Sequence, residues 1–422
     1  MKILVYIIHC FIVFCSAYLL SKRWRTTTSK LFWGSLFVHL GGGVAVGLIY
    51  SHYYSANDTW QFFNDATKLT SIAKTDFMSY VKLMVDLSDD QLYPGVITGD
   101  FRSLIFVKML SVFCLISRDS YWISSVYFSF IAFAASWFLY HKMICYVPRS
   151  ERAAALAILF FPSIVFWSSG IEKETLTLAS LYFLSGIFLE WVSEQKIKKW
   201  FWLPTIMASF VLWALKYYWA GVFFISVFSA LILLFLAQRL PQLKTRFVST
   251  YVILFIVIGA GVSTLHPNFY INRFLEVLVS NHNTFVSISR DNNLIHFYEL
   301  KPTIVSVVIN SPFALVSGIF RPLIGEGQGW LGFIASIENF LLLLLFLSKL
   351  MSLRKNISTR VSVLFLAVGS YCVVLCVCLA LSTPNLGTLS RYRVGFLPFL
   401  VFIIAHENPL VDWVAKKWKG SN

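Results

Sequence analysis

Apolar stretches of roughly 15 to 22 residues recur from one end of this chain to the other, separated by short polar or basic breaks. About 20 apolar residues are what an α-helix needs to cross a hydrocarbon layer about 30 Å thick. The pattern therefore excludes a string of soluble domains. Only 13% of the residues are charged, against about 25% in ordinary globular chains. Apolar spans at 2–21, 31–50, 121–140, 153–169, 175–192, 201–217, 219–237, 247–265, 330–348, 361–382 and 394–406 predict an all-α, polytopic membrane protein. On this reading eleven transmembrane helices form one membrane domain over residues 1–422.

The net charge of +15 does not mark a nucleic-acid binder, because the basic residues sit in short clusters between spans. Clusters at 22–30, 142–152, 196–199, 239–246, 349–360 and 416–419 hold more than half of the 35 Lys and Arg, accompanied only by Glu151, Glu194, Glu407 and Asp412. Arg25, Lys196, Arg354 and Lys355 are among them. The positive-inside rule places all six on the cytoplasmic side, with the N-terminus out and the C-terminus in. The first span can also be read as a signal peptide, since Lys2 precedes it and Ser16 and Ala17 follow Cys15. The strong basic cluster after it argues for a retained helix. Stretches 103–117 and 304–320 break the alternation and are expected to lie at the outer interface or to re-enter part-way. The seven cysteines fall in apolar stretches or, for Cys145, a cytoplasmic loop, and imply no disulfide framework. Gly41, Gly42 and Gly43 predict close helix packing.

Room for chemistry remains in two outer regions, residues 51–120 and 266–329, and in the outer turns. In the first region, Asn57-Asp58-Thr59-Trp60 follows directly on the second span. A carboxylate fixed near a helix end among aromatic rings suits a general base. Asp58 is that candidate, although it can equally cap a short helix with Asp65 seven residues on, on the same face. Asp58 and Asp65 could together bind a divalent cation, but two carboxylates are too few to assign one. Asp76, Asp86, Asp89, Asp90 and Asp100 read as a solvated surface. In the turn from Phe160 to Thr175, Pro162 and Gly170 frame Glu172-Lys173-Glu174. Backbone N–H groups and an ammonium would converge there on an anion. Farther along, Arg321 stands beside Pro322 and near Glu326, ahead of a helix carrying Glu338 and Asn339. A glutamate buried in lipid should meet an arginine or a hydroxyl. In the last outer turn Arg391 and Arg393, two residues apart, could bracket a phosphate or snorkel to lipid headgroups.

The order of these motifs resembles the GT-C-type polytopic glycosyltransferases and their relatives in bacterial surface-polysaccharide clusters. The matching features are Asp58 in the first outer loop, the Phe-Pro-Ser…Glu-Lys-Glu turn, the Phe-Arg-Pro…Glu segment, Glu338-Asn339 and the Asn-Leu-Gly-Thr…Arg-Tyr-Arg turn. The resemblance implies a multi-pass protein of the bacterial cytoplasmic membrane. Its activity would be transfer of sugar from a polyprenyl-phosphate donor to a lipid-linked or saccharide acceptor on the extracytoplasmic face. Asp58 would deprotonate the acceptor. Lys173, Arg321, Arg391 and Arg393, with Asp65, Glu172 and Glu326, would hold substrate and departing phosphate. A polymerase of lipid-linked repeat units and a lipid-linked sugar transporter or flippase are the competing readings.

Overall fold

The computed structural model describes residues 2–24, 29–54, 58–86, 100–195, 198–265, 267–327, 329–351 and 359–419. Of the residues singled out above, Arg25, Asn57, Asp89, Asp90, Lys196, Arg354 and Lys355 lie outside the described residues. The described chain is helical, with no β-strand and one isolated bridge between Leu294 and Asn385. Its helices are α1 (Lys2–Arg23), α2 (Ser29–His52), α3 (Asp58–Thr75), α4 (Phe77–Val85), α5 (Phe101–Ser117), α6 (Tyr121–Tyr146), α7 (Glu151–Ala154), α8 (Pro162–Trp167) and α9 (Lys173–Val192). There follow α10 (Trp202–Arg239), α11 (Phe247–Leu265), α12 (Ile271–Ile288), α13 (Ile304–Phe320), α14 (Gly329–Leu350), α15 (Thr359–Ser382), α16 (Leu386–Tyr392), α17 (Leu397–Ala405) and α18 (Pro409–Lys419).

Eight of these, α1, α2, α6, α9, α10, α11, α14 and α15, are long and apolar enough to cross a membrane, and the bent pair α16–α17 makes up to nine. The chain is thus a polytopic helical protein of membrane character. The count differs from eleven for two physical reasons. Over 153–169 the helix is broken: α7 runs into a π-helical turn at Ala155–Phe160, Phe161 is extended, and α8 restarts at Pro162. Proline disfavours a helical residue before it and favours the first helical position. The expected spans 201–217 and 219–237 form one helical run, whose backbone leaves helical values at Lys216 (φ −144°, ψ 68°). The stretch at 304–320 is a 17-residue helix, α13, about 25 Å long, that packs along the candidate span α15 and exposes Val305, Val308 and Ile309.

Two compact units emerge. The first comprises Met1–His141, Ile164–Gly186 and Lys198–Tyr217. In it α5 is no surface helix: Phe106, Val107 and Leu110 are fully buried against α3, with Phe62, Ala66 and Leu69 opposite. The glycine run does what small residues between helices do. The Gly43 carbonyl accepts from the Ser125 hydroxyl (3.2 Å), and a Cβ at Gly43 would lie 2.1 Å from Ser129 Oγ and 3.1 Å from the Gly170 nitrogen. Gly170 itself has φ +76°, donates its N–H to Ser129 Oγ (3.0 Å) and accepts at its carbonyl from Thr175 Oγ1 (3.0 Å). Gly43→Ala is expected to cost about 1–3 kcal/mol by overpacking. Gly41→Ala, where a Cβ meets nothing within 4 Å, should leave stability within about 1 kcal/mol of the parent. Thermal melts of both variants in detergent check the contrast.

The second unit comprises Lys142–Ser163, Ile187–Ile197 and Tyr218–Asn422. Here α15 is the central helix, with α12, α13 and α17 packed on it. Its basic segments meet acidic partners: Arg149 with Glu407 (2.9 Å), Arg152 with Asp412 (2.7 Å) and Lys142 with Glu190. Segments that the charge pattern assigned to one face are therefore brought together within this unit. All seven cysteines are among the described residues, and no disulfide joins them.

Candidate functional site

The first unit carries Asp58, Asp65, Glu172 and Lys173. Asp58 is the first residue of α3, where a carboxylate favours the positive end of the helix dipole. Four residues on, and so on the same face, Phe62 presents its ring to the Lys173 ammonium, 5.0 Å from the centroid. Lys173 opens α9, a position at which a cation opposes the dipole. Its Nζ instead donates to Ser103 Oγ at 2.7 Å. Ser103 is held by Asp100, the N-cap of α5, whose carboxylate accepts from the Ser103 backbone N–H (3.0 Å) and from its hydroxyl. Burial raises the Asp100 carboxyl, but the Ser103 bonds and the charges of Lys173 and Arg102 outweigh it and hold Asp100 below the usual carboxylate range. On the other side of Asp58, buried Thr59 bonds the Tyr121 phenol (2.9 Å), whose ring stacks on Trp60 at 3.8 Å. Glu172, 1% exposed, lies within electrostatic reach of that phenol. The result is an acid, a cation and a buried carboxylate around an aromatic floor.

Asp65 lies on the same face of α3, three residues beyond Phe62. Its carboxylate is buried and bonded to Lys68 at 2.9 Å, one turn on. Asp76 and Asp100 are exposed, as the solvated reading expects, and both also cap helices. Asp76 accepts from the N–H groups of Met78 and Ser79 (both 3.1 Å) at the start of α4. Those hydrogen bonds, the Ser79 hydroxyl first, hold the Asp76 carboxyl below its ordinary range. Ser103 was overlooked because its signal, Asp-x-x-Ser ahead of an apolar run, belongs to capping rather than to chemistry. Glu174 and Lys216 were overlooked as a pair: both are buried and meet at 2.9 Å, 42 residues apart in sequence.

The second unit carries Arg321, Glu326, Arg391 and Arg393. Two of these satisfy each other. Arg321 Nε lies 3.0 Å from Glu326 Oε2, which also accepts from the Leu323 N–H (2.8 Å) and closes the turn after α13. Burial raises the Glu326 carboxyl, but these two donors outweigh it and keep it below its usual range. Arg393, 1% exposed, reaches Glu338 Oε1 at 3.4 Å and the Ile319 carbonyl at 3.5 Å. Glu338 Oε2 accepts from the Ser163 backbone N–H at 2.8 Å. So Glu338 meets an arginine, as a buried carboxylate should. Arg391 lies over the Tyr392 ring at 5.3 Å. Arg391 and Arg393 were expected to bracket a phosphate. The chain is helical through Tyr392 and Arg393, and residues two apart on a helix do not share a face.

Among the described residues no three His, Cys, Asp or Glu side chains converge as metal ligands. Compared with protein-family models, curated proteins and solved structures, the chain matches none.

Proposed function

We propose that this chain is a membrane glycosyltransferase of the bacterial cytoplasmic membrane, moving a sugar from a polyprenyl-phosphate donor to a lipid-linked or saccharide acceptor on the extracytoplasmic face. One observation carries the reading: Asp58 and the Phe62 ring share a face of α3, and the Lys173 ammonium sits over that ring. Asp58 takes the proton of the acceptor hydroxyl as its oxygen attacks the anomeric carbon, and the bond from that carbon to the phosphate oxygen breaks. Negative charge then grows on the leaving phosphate beside Lys173. At an effective dielectric near 20, a cation about 4 Å away contributes roughly 4 kcal/mol, or about a thousandfold in rate if the contact is made only in the transition state.

Transfer of labelled sugar from a polyprenyl-phosphate donor by the protein in proteoliposomes tests this. Asp58→Asn is expected to abolish product while the variant inserts and elutes like the parent; undiminished product would refute the assignment. A second reading, translocation of a lipid-linked sugar, is favoured by the Arg393–Glu338 pair inside a candidate span and by the 71° bend between α16 and α17. A translocation assay without acceptor separates the two. Movement of donor that survives Asp58→Asn supports the transporter, and its absence supports the transferase.

A further inference from the structure

In the second unit α17 ends at Ala405 and α18 begins at Pro409, so the chain turns within three residues. That turn is fastened to α14, a candidate span. Asn408, fully buried, donates to the Leu345 carbonyl (2.8 Å) and accepts from the Ser348 hydroxyl (2.9 Å). Leu345 lies five residues before Leu350, the end of α14, and so about 8 Å from it along the axis. The start of α18 is therefore held at the level where that span ends. Asp412, in the first turn, adds an ion pair to Arg152 at 2.7 Å. At about 100° per residue, Leu410, Val411, Trp413 and Val414 fall on one arc of α18, and Asp412 and Lys416 on the other. Packing on α14 covers only part of the apolar arc. Leu410, Val411 and Ala415 are half-buried, whereas Trp413 and Val414 are 59% and 51% exposed. Lys417 reaches over the Trp413 ring, 5.2 Å from its centroid. From residue 413 to residue 419 the chain carries three lysines and no acid. The last turns of α14 expose Leu347 and Leu350 at the same end.

We infer that α18 docks in the headgroup layer of a leaflet rich in anionic glycerophospholipid. Trp413 and Val414 enter the boundary of the acyl chains, and Lys416 and Lys417 face the phosphates. Placement selects a lipid surface, because the anchored start of α18 leaves the helix beside the end of a span. Residue type agrees with that level: an indole suits the membrane interface, and a lysine buries its stem while its ammonium stays with the headgroups. Charge selects the lipid class, since three lysines gain at an anionic surface and gain little at a zwitterionic one. A second copy of the chain would bring the same excess of lysines to the contact and be repelled.

The test uses the full chain, one copy to a disc, in nanodiscs of phosphatidylcholine alone or of equal parts phosphatidylcholine and phosphatidylglycerol. Amide hydrogen exchange over α18 is read by mass spectrometry. A lysine at an anionic surface is worth about fivefold, so α18 is expected to exchange at least about tenfold more slowly in the anionic discs. High salt should shrink that difference. Lys416→Gln combined with Lys417→Gln should erase most of it, and Lys416→Arg combined with Lys417→Arg should keep it. Trp413→Ser should speed exchange in both discs. Equal exchange of the parent in the two discs, or a difference that survives the glutamine pair, overturns the proposal. Slow exchange that needs two chains in one disc, whatever the lipid, assigns the face to a second copy and overturns it as well.

Discussion

Replacing Lys216 with methionine should destabilise the protein by about 3–5 kcal/mol, because it strands the Glu174 carboxylate where water does not reach. Glu174 is fully buried, Lys216 is 5% exposed, and Nζ lies 2.9 Å from Oε1. Glu174 stands in the first turn of α9, so the positive helix end supports its charge, but a dipole alone does not replace an ammonium. Lys216 is also where α10 leaves helical geometry, which lets its side chain leave the helix track. The double variant Glu174→Leu with Lys216→Met removes both charges and should recover most of the loss. Melting in detergent of the parent, both single variants and the double variant gives the coupling energy. Additive losses, with no recovery in the double variant, would show that the two side chains act independently.

The same pair illustrates what a single sequence carries. The break near residue 216 is legible there, since Lys-Tyr-Tyr interrupts an apolar run, but its cause is not, because the partner carboxylate is 42 residues away. Lys142–Glu190, 48 residues apart, escapes for the same reason, whereas for Glu338 the kind of partner is legible and only its identity, Arg393, 55 residues on, is not. Periodic and local features fare better. The long spans, the close approach at Gly43 and the positive φ at Gly170 follow from residue type and spacing, which act over one or two turns. Elsewhere local reading was incomplete. Arg391 and Arg393, read as part of a turn, lie on helical backbone. Asp100, exposed as a solvated residue should be, also caps α5 and fixes the serine that holds Lys173. That chain of contacts, from a cap to a hydroxyl to an ammonium, makes the candidate site a product of how α3, α5 and α9 pack and not of any one motif.

Arg393→Leu is the sharper experiment in the second unit, because it separates folding from chemistry. With Arg393 gone, Glu338 keeps the Ser163 N–H among the described residues, and the expected loss is again about 3–5 kcal/mol. Glu338→Gln keeps one acceptor oxygen, for Ser163 or for Arg393, and turns its NH2 toward the other donor. It should cost less, about 1–3 kcal/mol, the range for a weakened bond to a buried charged group. If the pair serves the fold alone, Arg393→Leu combined with Glu338→Leu regains stability and also regains transfer or translocation. If the guanidinium acts on a phosphate, stability returns and activity does not, since no leucine pair offers an anion a donor. The long 3.4 Å separation and the unpartnered, buried Arg393 Nε favour the second outcome, because an arginine kept only for structure is normally satisfied at all of its donors. Stability by thermal melt and function by labelled-lipid assay, measured on the same preparation, decide between them.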